Sequence, residues 1–278
     1  IPVNLCRSIG MTLVIRSGGI YLSVGSVLAF SGAVAAGLLK HGVMLPMFGV
    51  AVQFTVFGAL VAGLLVGAAL GAFNGWAITR FRLPPFVATL GMLSIARGLT
   101  QLWTKGFPIT GLGTGFAFIG TGHWLGLPMP VWISAVLVAL FVLITRKTRL
   151  GRYLYAIGGN ERAAQLSGLN LRAIKVTVYA LGGALAGIAG LLLTARLDSA
   201  TPNAGIGYEL DSIAAVVIGG TSLSGGRGSV LGTVLGCLII GVLNNGLVLM
   251  EVSPFWQQIV KGLVILVAVA LDKMNVKD

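Results

Sequence analysis

The sequence predicts an all-α integral membrane protein, a polytopic helical bundle, and three observations support this prediction. Of the 278 residues, 56% are hydrophobic and only 9% are charged, with a mean hydropathy of +0.97, whereas a soluble domain of this length needs far more surface charge. Runs of nearly twenty apolar residues recur along the chain, enough to cross a hydrocarbon core of roughly 30 Å as helices. The alternating pattern of a membrane β-barrel is absent, and backbone groups in lipid must satisfy one another, so these runs should be helical.

Nine apolar runs are candidate spans. The first two lie near residues 1–15 and 20–38, on either side of a Gly-Gly pair, and the segment TRFRLP divides the third, near 51–78, from the fourth, near 85–103. The seventh is the weakest, because its apolar part, SIAAVVIGG, is short for a bilayer and could be re-entrant or broken. The fifth to ninth runs lie near residues 129–145, 175–195, 210–224, 229–249 and 255–272.

The placement of lysine and arginine predicts the orientation, because cytoplasmic loops carry an excess of both. The loop over residues 146–175 should be cytoplasmic, since it holds a single acid, Glu161, among many bases: Arg146, Lys147, Arg149, Arg152, Arg162, Arg172 and Lys175. Counting spans from this loop places further bases inside, the C-terminal tail among them: Arg16, Arg80, Arg82, Arg227, Lys273 and Lys277. The acids fall outside: Asp198, Glu209, Asp211 and Glu251.

This orientation has a consequence for the number of spans. A re-entrant seventh segment would move the tail lysines outside, so the charge rule favours a true span there. Nine spans that end inside must begin outside. We therefore expect one further N-terminal span and a parent protein of ten helices.

The net charge of +12 and the isoelectric point of about 10.4 would suggest nucleic-acid binding in a soluble protein. Here the bases lie in short loops between spans, where topology accounts for them, so no nucleic-acid partner is expected. Cys6 and Cys237 lie in apolar context, and His41 and His123 lie in loops. No Cys-x-x-Cys pair or His/Cys cluster indicates a metal site.

Glycine is abundant, with 42 residues, and some of it is periodic. Small residues at every fourth position let membrane helices approach closely, and this spacing occurs at Gly63, Gly67, Gly71 and Gly75. A second group follows later: Gly182, Gly183, Gly187 and Gly190. The segments GGIYLSVGSVL, from Gly18, and GGTSLSGGRGSVL, from Gly219, resemble each other and hint at an internal repeat, which transporters often contain.

The polar segment GGNERAAQLSG is unusual in so apolar a chain, and it predicts a short helix on the cytoplasmic side. Asn160 is a good N-cap, Glu161 suits the first turn, and Gly168 is well placed to end the helix. A helix of about two turns is unstable alone in water, so it must be stabilised by packing against a membrane surface or a partner protein. Its face is small and polar, whereas a membrane-surface helix usually has a broad apolar face. Both alternatives, connector and docking element, stay open at this point.

The block GRYLYAIGGNERAAQLSGLNLRAIK resembles the coupling loop of permease subunits in ABC sugar importers of the ribose type. Four further segments resemble the same family: ARLDSATPNAGIGYELDSIAAVVIGGTSLSGGRGSVLGT, LNNGL, VKGLVILVAVALDK and SGGIYLSVGS. The resemblance therefore covers essentially the whole chain. It implies one permease domain over residues 1–278, with a coupling loop at 151–175 and a type II importer fold of about ten helices. The coupling residues would be Gly158, Gly159, Asn160, Glu161, Arg162, Ala163, Ala164, Gln165, Leu166, Ser167 and Gly168.

The resemblance also implies partners. Two permease subunits, identical or paralogous, would form a pathway in the lipid of a bacterial inner membrane. Two ABC ATPase subunits would receive the coupling helices, and a periplasmic or extracellular binding protein would deliver the sugar. The chain lacks G-x-x-x-x-G-K-[ST], so ATP should be bound by the separate ATPase and this chain should be neither an enzyme nor a cofactor carrier.

One position departs from the family. Tyr21 stands where the family usually has aspartate in the motif G-G-I-D-L-S-V-G. An aspartate near the cytoplasmic end of a span could cap a helix or pair with Arg16, and a tyrosine can do neither as an ion. The change is either a tolerated variant or an impairment of folding or coupling.

Polar side chains inside the spans are candidates for the translocation path, because they are expensive in lipid and often functional. Amides and hydroxyls can hydrogen-bond sugar hydroxyl groups, which singles out Asn74, Thr89, Ser94, Asn244 and Asn245. The alternative for each is a hydrogen bond between helices. Arg97 and Lys261 are expected to snorkel or to meet carbonyl groups. Asp198, Glu209 and Asp211, near the outer loop, could face the binding protein or gate the entrance, or could merely belong to a polar connector.

The sequence thus predicts a permease for a monosaccharide, most similar to those for ribose. Another pentose or hexose, or a furanose-like signalling molecule, is the alternative within this class. An ion-driven secondary transporter is a second class, but such proteins often bury acids midway through their spans, and the acids here lie at span ends or in loops. An intramembrane enzyme is disfavoured, because no carboxylate pair, ligand set or Ser/His arrangement lies within the spans.

Overall fold

A computed structural model describes residues 1–45 and 50–275 of the chain. Within these residues the protein is helical apart from short antiparallel strand pairs. The helices are α1 (Pro2–Arg16), α2 (Val24–His41), α3 (Val56–Phe81), α4 (Pro85–Thr104), α5 (Thr114–Thr121), α6 (Met129–Lys147), α7 (Arg149–Gly159), α8 (Glu161–Leu166), α9 (Leu171–Leu197), α10 (Tyr208–Ile218), α11 (Val230–Leu249) and α12 (Pro254–Asn275). The strands are β1 (Val43–Leu45), β2 (Val50–Val52), β3 (Ile109–Thr110), β4 (His123–Trp124), β5 (Leu127–Pro128) and β6 (Ser199–Ala200). They pair β1 with β2, β3 with β6, and β4 with β5.

A helix lies at each of the nine predicted runs, but nine membrane spans are not confirmed. In the described part of the chain, five helices are long and apolar enough to cross a membrane, namely α2, α3, α6, α9 and α11. The helix at the seventh run, α10, has 11 residues, which is about 16 Å at the rise of an α-helix and only half of a hydrocarbon core. An uninterrupted seventh span is therefore not what the chain forms there. Of the two tail lysines, Lys277 lies outside the described residues.

Helix α9 is the centre of the bundle, and glycine determines how closely its neighbours approach. It packs most extensively against α3 and also against α1 and α2. A Cβ atom added at Gly67 would lie 2.5 Å from the carbonyl oxygen of Gly183 on α9. Gly190 faces α2 at Leu28, and a Cβ atom at Gly10 of α1 would lie 3.0 Å from the Cα atom of Gly182. The close approach predicted from the glycine spacing is confirmed. The glycines of α9 lie at its contacts with three helices, α1, α2 and α3.

The segments predicted to be cytoplasmic share one end of the bundle. A cavity of about 870 Å³ is lined there by the turn after α1, the turn between α3 and α4, helix α8 and the start of α9. The turn before α11 reaches the same end, because the Gly226 amide donates to the carbonyl oxygen of Arg16 at 3.1 Å. At the other end, β3 pairs with β6, and the Asp198 carboxylate accepts a hydrogen bond from the Leu112 amide at 2.9 Å.

Candidate functional site

Helix α8 forms as the sequence predicts. The Asn160 side chain caps it by accepting a hydrogen bond from the Ala163 amide at 3.0 Å. Gly168 follows its last turn with a φ of +82°, which glycine adopts without strain, and the Leu169 amide donates to the Ala164 carbonyl at 3.2 Å. Caps at both ends make this six-residue helix a defined element rather than a flexible loop.

One side of α8 packs on its own chain and the other is open. Ala164 is buried, and the Lys175 ammonium at the start of α9 holds the Glu161 carboxylate at 2.6 Å. Leu166 is 89% exposed, although it is the largest apolar side chain of the helix. The rest of the open side consists of Arg162, Ala163, Gln165 and Ser167. An apolar side chain projecting from a polar helix gives a partner protein something to bury.

The two glycines before α8 end helix α7 and differ in their surroundings. A Cβ atom on Gly158 would collide with the Arg16 carbonyl oxygen and the Gly226 amide nitrogen, so this position requires glycine. Gly159 has open space around it. Gly158 therefore fastens α7, and through it α8, to the end of α1 and to the turn before α11.

The five candidate pathway residues do not form one cluster. Asn74 is buried and donates to the Ser23 hydroxyl at 3.1 Å, and Thr89 is buried and donates to the Ile20 carbonyl at 3.2 Å. Both thus bond the segment that leads into α2, which is the alternative role considered for them. Ser94 lies exposed on α4.

Asn244 and Asn245 line a second cavity, of about 750 Å³, between α1, α9, α10, α11 and α12. Asp211 and Lys261 line it too, with 3.4 Å between the ammonium and the carboxylate. Arg7 completes the cluster, 3.6 Å from the Asp211 carboxylate. Its guanidinium lies 4.0 Å from the ring centre of Tyr208.

Two of the three acids expected on the outer face are buried in this chain. Glu209 and Asp211 lie in the first turn of α10, where Glu209 packs against Gly25 and Asp211 pairs with bases. They do not form an exposed rim, because α10 begins before them and turns them into the bundle. Asp198 remains exposed, at a left-handed residue that ends α9.

Of the two bases expected to snorkel or to meet carbonyl groups, Arg97 meets carbonyl groups, whereas Lys261 meets a carboxylate. Arg97 donates to the carbonyl oxygens of Pro202 and Ala204 at 2.9 and 2.7 Å, so it fastens α4 to the loop before α10. Lys261 pairs with Asp211. The sequence reasoning missed Arg7, although a base inside the first predicted span and an acid at the start of the seventh was a signal that the two could pair.

Tyr21 is fully buried. Its ring meets that of Tyr179 edge to face, with 5.8 Å between the ring centres, and packs near Gly182 of α9. Arg16, which an aspartate at position 21 could have paired with, instead lies over the ring of Tyr155 at 3.8 Å. Tyr21 thus makes an aromatic contact between the α1–α2 turn and α9 in place of an ion pair, and its hydroxyl group is buried without a hydrogen-bond partner among the described residues.

Comparison with known proteins gives a consistent result. The family model described as branched-chain amino acid transport system / permease component matches residues 4–269. The ribose import permease protein RbsC of Bacillus subtilis is 50% identical over 275 residues, which cover 98% of this chain and 82% of the relative. RbsC of Haemophilus influenzae is 48% identical over 277 residues, 97% of this chain and 81% of the relative. The D-allose transport system permease protein AlsC of Escherichia coli is 39% identical over 272 residues, 98% of this chain and 80% of the relative. No solved structure was found to match.

Proposed function

This chain belongs to the family of permease components of branched-chain amino acid transport systems, and on that premise we propose that it imports a monosaccharide, ribose first of all, as the membrane subunit of an ABC importer. The energy comes from ATP that a separate subunit binds and hydrolyses. The membrane is the bacterial inner membrane, crossed several times, with the C-terminus in the cytoplasm.

One observation carries the choice of cargo. The chain aligns almost end to end with proteins named as ribose import permeases, at about half identity. Relatives named for allose and for galactofuranose are less similar, and they define the alternative cargoes, another hexose or a furanose. The family description refers to branched-chain amino acids, but relatives that carry a sugar in their names match this chain along its length.

We propose the type II importer arrangement, in which two such subunits, identical or paralogous, form the pathway. Large apolar side chains on the outside of the bundle support an environment of lipid and a second subunit. They lie on several helices: Leu65 on α3, Leu102 on α4, Val242 on α11 and Leu266 on α12. Apolar surface of this extent is stable only when it is covered.

Helix α8 is the element that receives the ATPase in this proposal. Its support is local: it is capped at both ends, it is tied to α9 by the ion pair between Glu161 and Lys175, and it exposes Leu166. A rigid, protruding element can carry a displacement into the bundle, whereas a flexible loop would absorb it.

Asn244 and Asn245 are the pathway candidates with the best support. They line a polar cavity, and the Oδ1 atom of Asn244 is buried without a hydrogen-bond partner among the described residues. An amide oxygen left without a partner can accept a hydrogen bond from a sugar hydroxyl. Because a binding protein supplies selectivity, a weak site is sufficient. Of the three outer-face candidates, Asp198 is the one placed to meet that binding protein, since it is exposed.

The test is reconstitution. The full-length protein is expressed with the ATPase and the binding protein encoded beside it, purified in nanodiscs, and assayed for ATP hydrolysis with and without ribose. We expect ribose to stimulate hydrolysis, and we expect Leu166→Glu to abolish ATPase capture. The matched control is Leu125→Glu, at a leucine that is 75% exposed in the β4–β5 turn at the other end of the bundle.

The outcomes separate the alternatives. Stimulation by another sugar alone would change the cargo and keep the importer. If the intact chain captures no ATPase, and proteoliposomes containing it alone accumulate solute on an ion gradient, the protein is a secondary transporter.

A further inference from the structure

The helix that precedes α8 is joined to α1 through a buried arginine. Arg16 is the last residue of α1 and is 0% exposed. Its guanidinium lies 3.8 Å from the ring centre of Tyr155, five residues before the N-cap of α8. Among the described residues, none of its three guanidinium nitrogens has a hydrogen-bond partner. The aromatic ring is therefore the group that holds this charge in place.

Backbone contacts bring a third segment to the same point. The Tyr155 hydroxyl donates to the Gly228 carbonyl at 3.0 Å, and the Gly226 amide donates to the Arg16 carbonyl at 3.1 Å. Gly158 lies against both Arg16 and Gly226 with no room for a side chain. We call this set, namely Arg16, Tyr155, Gly158, Gly226 and Gly228, the α7 junction. It unites the ends of α1 and α7 with the turn before α11.

Stability does not explain the arginine. A buried charge without hydrogen bonds or an acidic partner is costly, and an apolar side chain of similar size would fill the space at lower cost. A cation over an aromatic face recovers part of that cost, and more of it when water is excluded. Within residues 1–45 and 50–275, Tyr155 is the group found in contact with the guanidinium, so movement of Tyr155 away from Arg16 would leave the charge without that support, and the two groups are expected to move together.

We propose that Arg16 is a positioning residue that transmits the displacement of α7 and α8 to α1 through its contact with Tyr155. The proposal rests on the proposed function, because it assumes that α8 is displaced by an ATPase. α1 is a suitable receiver, since it packs against α9, α10 and α11 and carries Arg7 of the cavity cluster. Arg16 thereby connects the ATPase side to the helices around the polar cavity.

The test uses the full complex in nanodiscs and proteoliposomes, with two readouts: the factor by which ribose stimulates ATP hydrolysis, and the ribose imported per ATP. Arg16→Leu is expected to leave thermal stability equal or higher and ATPase capture unchanged. Ribose imported per ATP should fall about three- to tenfold, because Arg16 is buried whereas Tyr155 is 42% exposed, so the cation–π contact is only partly desolvated. Arg16→Lys should fall too, because it keeps the charge and loses the planar group. Arg80→Leu, at an exposed arginine in the last turn of α3, is the matched control.

Variants of Tyr155 separate transmission from packing. Tyr155→Phe keeps the ring and should stay within about twofold of wild type, whereas Tyr155→Leu should behave like Arg16→Leu. The double variant, Arg16→Leu with Tyr155→Leu, should be no worse than either single one, because both remove the same contact. Wild-type import per ATP in Arg16→Leu, or additive losses in the double variant, would overturn the proposal. A wild-type complex that ribose does not stimulate would instead overturn the proposed function, and this inference with it.

Discussion

Replacing Gly71 with alanine should weaken the contact between α3 and α9 on which the bundle is built. A Cβ atom at this position would meet the Tyr179 carbonyl group, with 2.9 Å to its carbon, and the Gly183 Cα atom at 3.0 Å. These neighbours are backbone atoms of α9, which cannot rotate away. Relief therefore requires the two helices to separate.

The magnitude follows from the distances. The optimal distance between non-bonded carbon atoms is about 3.5 to 4.0 Å, so a methyl group at position 71 would require α3 and α9 to move apart by roughly 0.5 to 1 Å. A gap of that size forfeits about a quarter to a half of each dispersion contact along the seam. Overpacking of this kind costs about 1 to 3 kcal/mol.

A control is needed because alanine also favours a helix over glycine by up to about 1 kcal/mol. Gly98 of α4 provides it, since a Cβ atom there would meet no atom within 4 Å. The helix-propensity gain is common to Gly71→Ala and Gly98→Ala. The difference between the two variants therefore isolates the contact between α3 and α9.

Thermal unfolding in detergent can be followed with a thiol-reactive fluorophore. The chain has two cysteines, Cys6 and Cys237, both fully buried and neither on α3 or α9. They become reactive as the bundle opens. We expect Gly71→Ala to melt several degrees below Gly98→Ala, at about 2 to 4 °C per kcal/mol for a chain of this size. Equal melting temperatures, or a higher one for Gly71→Ala, would refute the reasoning that α3 and α9 are in glycine-limited contact.

Three further predictions concern the polar groups. Asn160→Ala should destabilise α8 by about 1 kcal/mol and raise the rate of amide hydrogen exchange in this helix. Asn160→Asp should keep the cap and the slow exchange. An unchanged exchange rate in the alanine variant would contradict this prediction. Asp211→Asn should lower the free energy of unfolding by about 3 kcal/mol or more, because it leaves Arg7 buried without its acidic partner. Adding Arg7→Met should recover part of that stability, as measured by thermal unfolding. Lys175→Met should lower the free energy of unfolding by less than about 1 kcal/mol, since Glu161 is half exposed. This loss of stability should shrink at high salt. A large loss that does not depend on salt would show that Lys175 has a different role.

The positions of the helices and the form of α8 were predictable because local signals carry them. Nine apolar runs contain helices at the expected places, and Asn160 and Gly168 act within one turn of the residues they cap. The burial of Glu209 and Asp211 was not predictable in this way. An acid after a loop looks exposed in the sequence, and only the packing of α10 decides that it faces inward.

Composition and the spacing of apolar and basic residues therefore determined the class of this protein, the order of its helices and the short capped helix, because hydrophobicity and capping act over neighbouring residues. The tertiary structure alone decided that α9 is central, that Arg7 finds Asp211, and that Arg16 finds Tyr155. These partners are distant in the sequence, and no local preference selects one distant partner over another. Their contacts depend on how whole helices pack against one another, which only the assembled bundle decides.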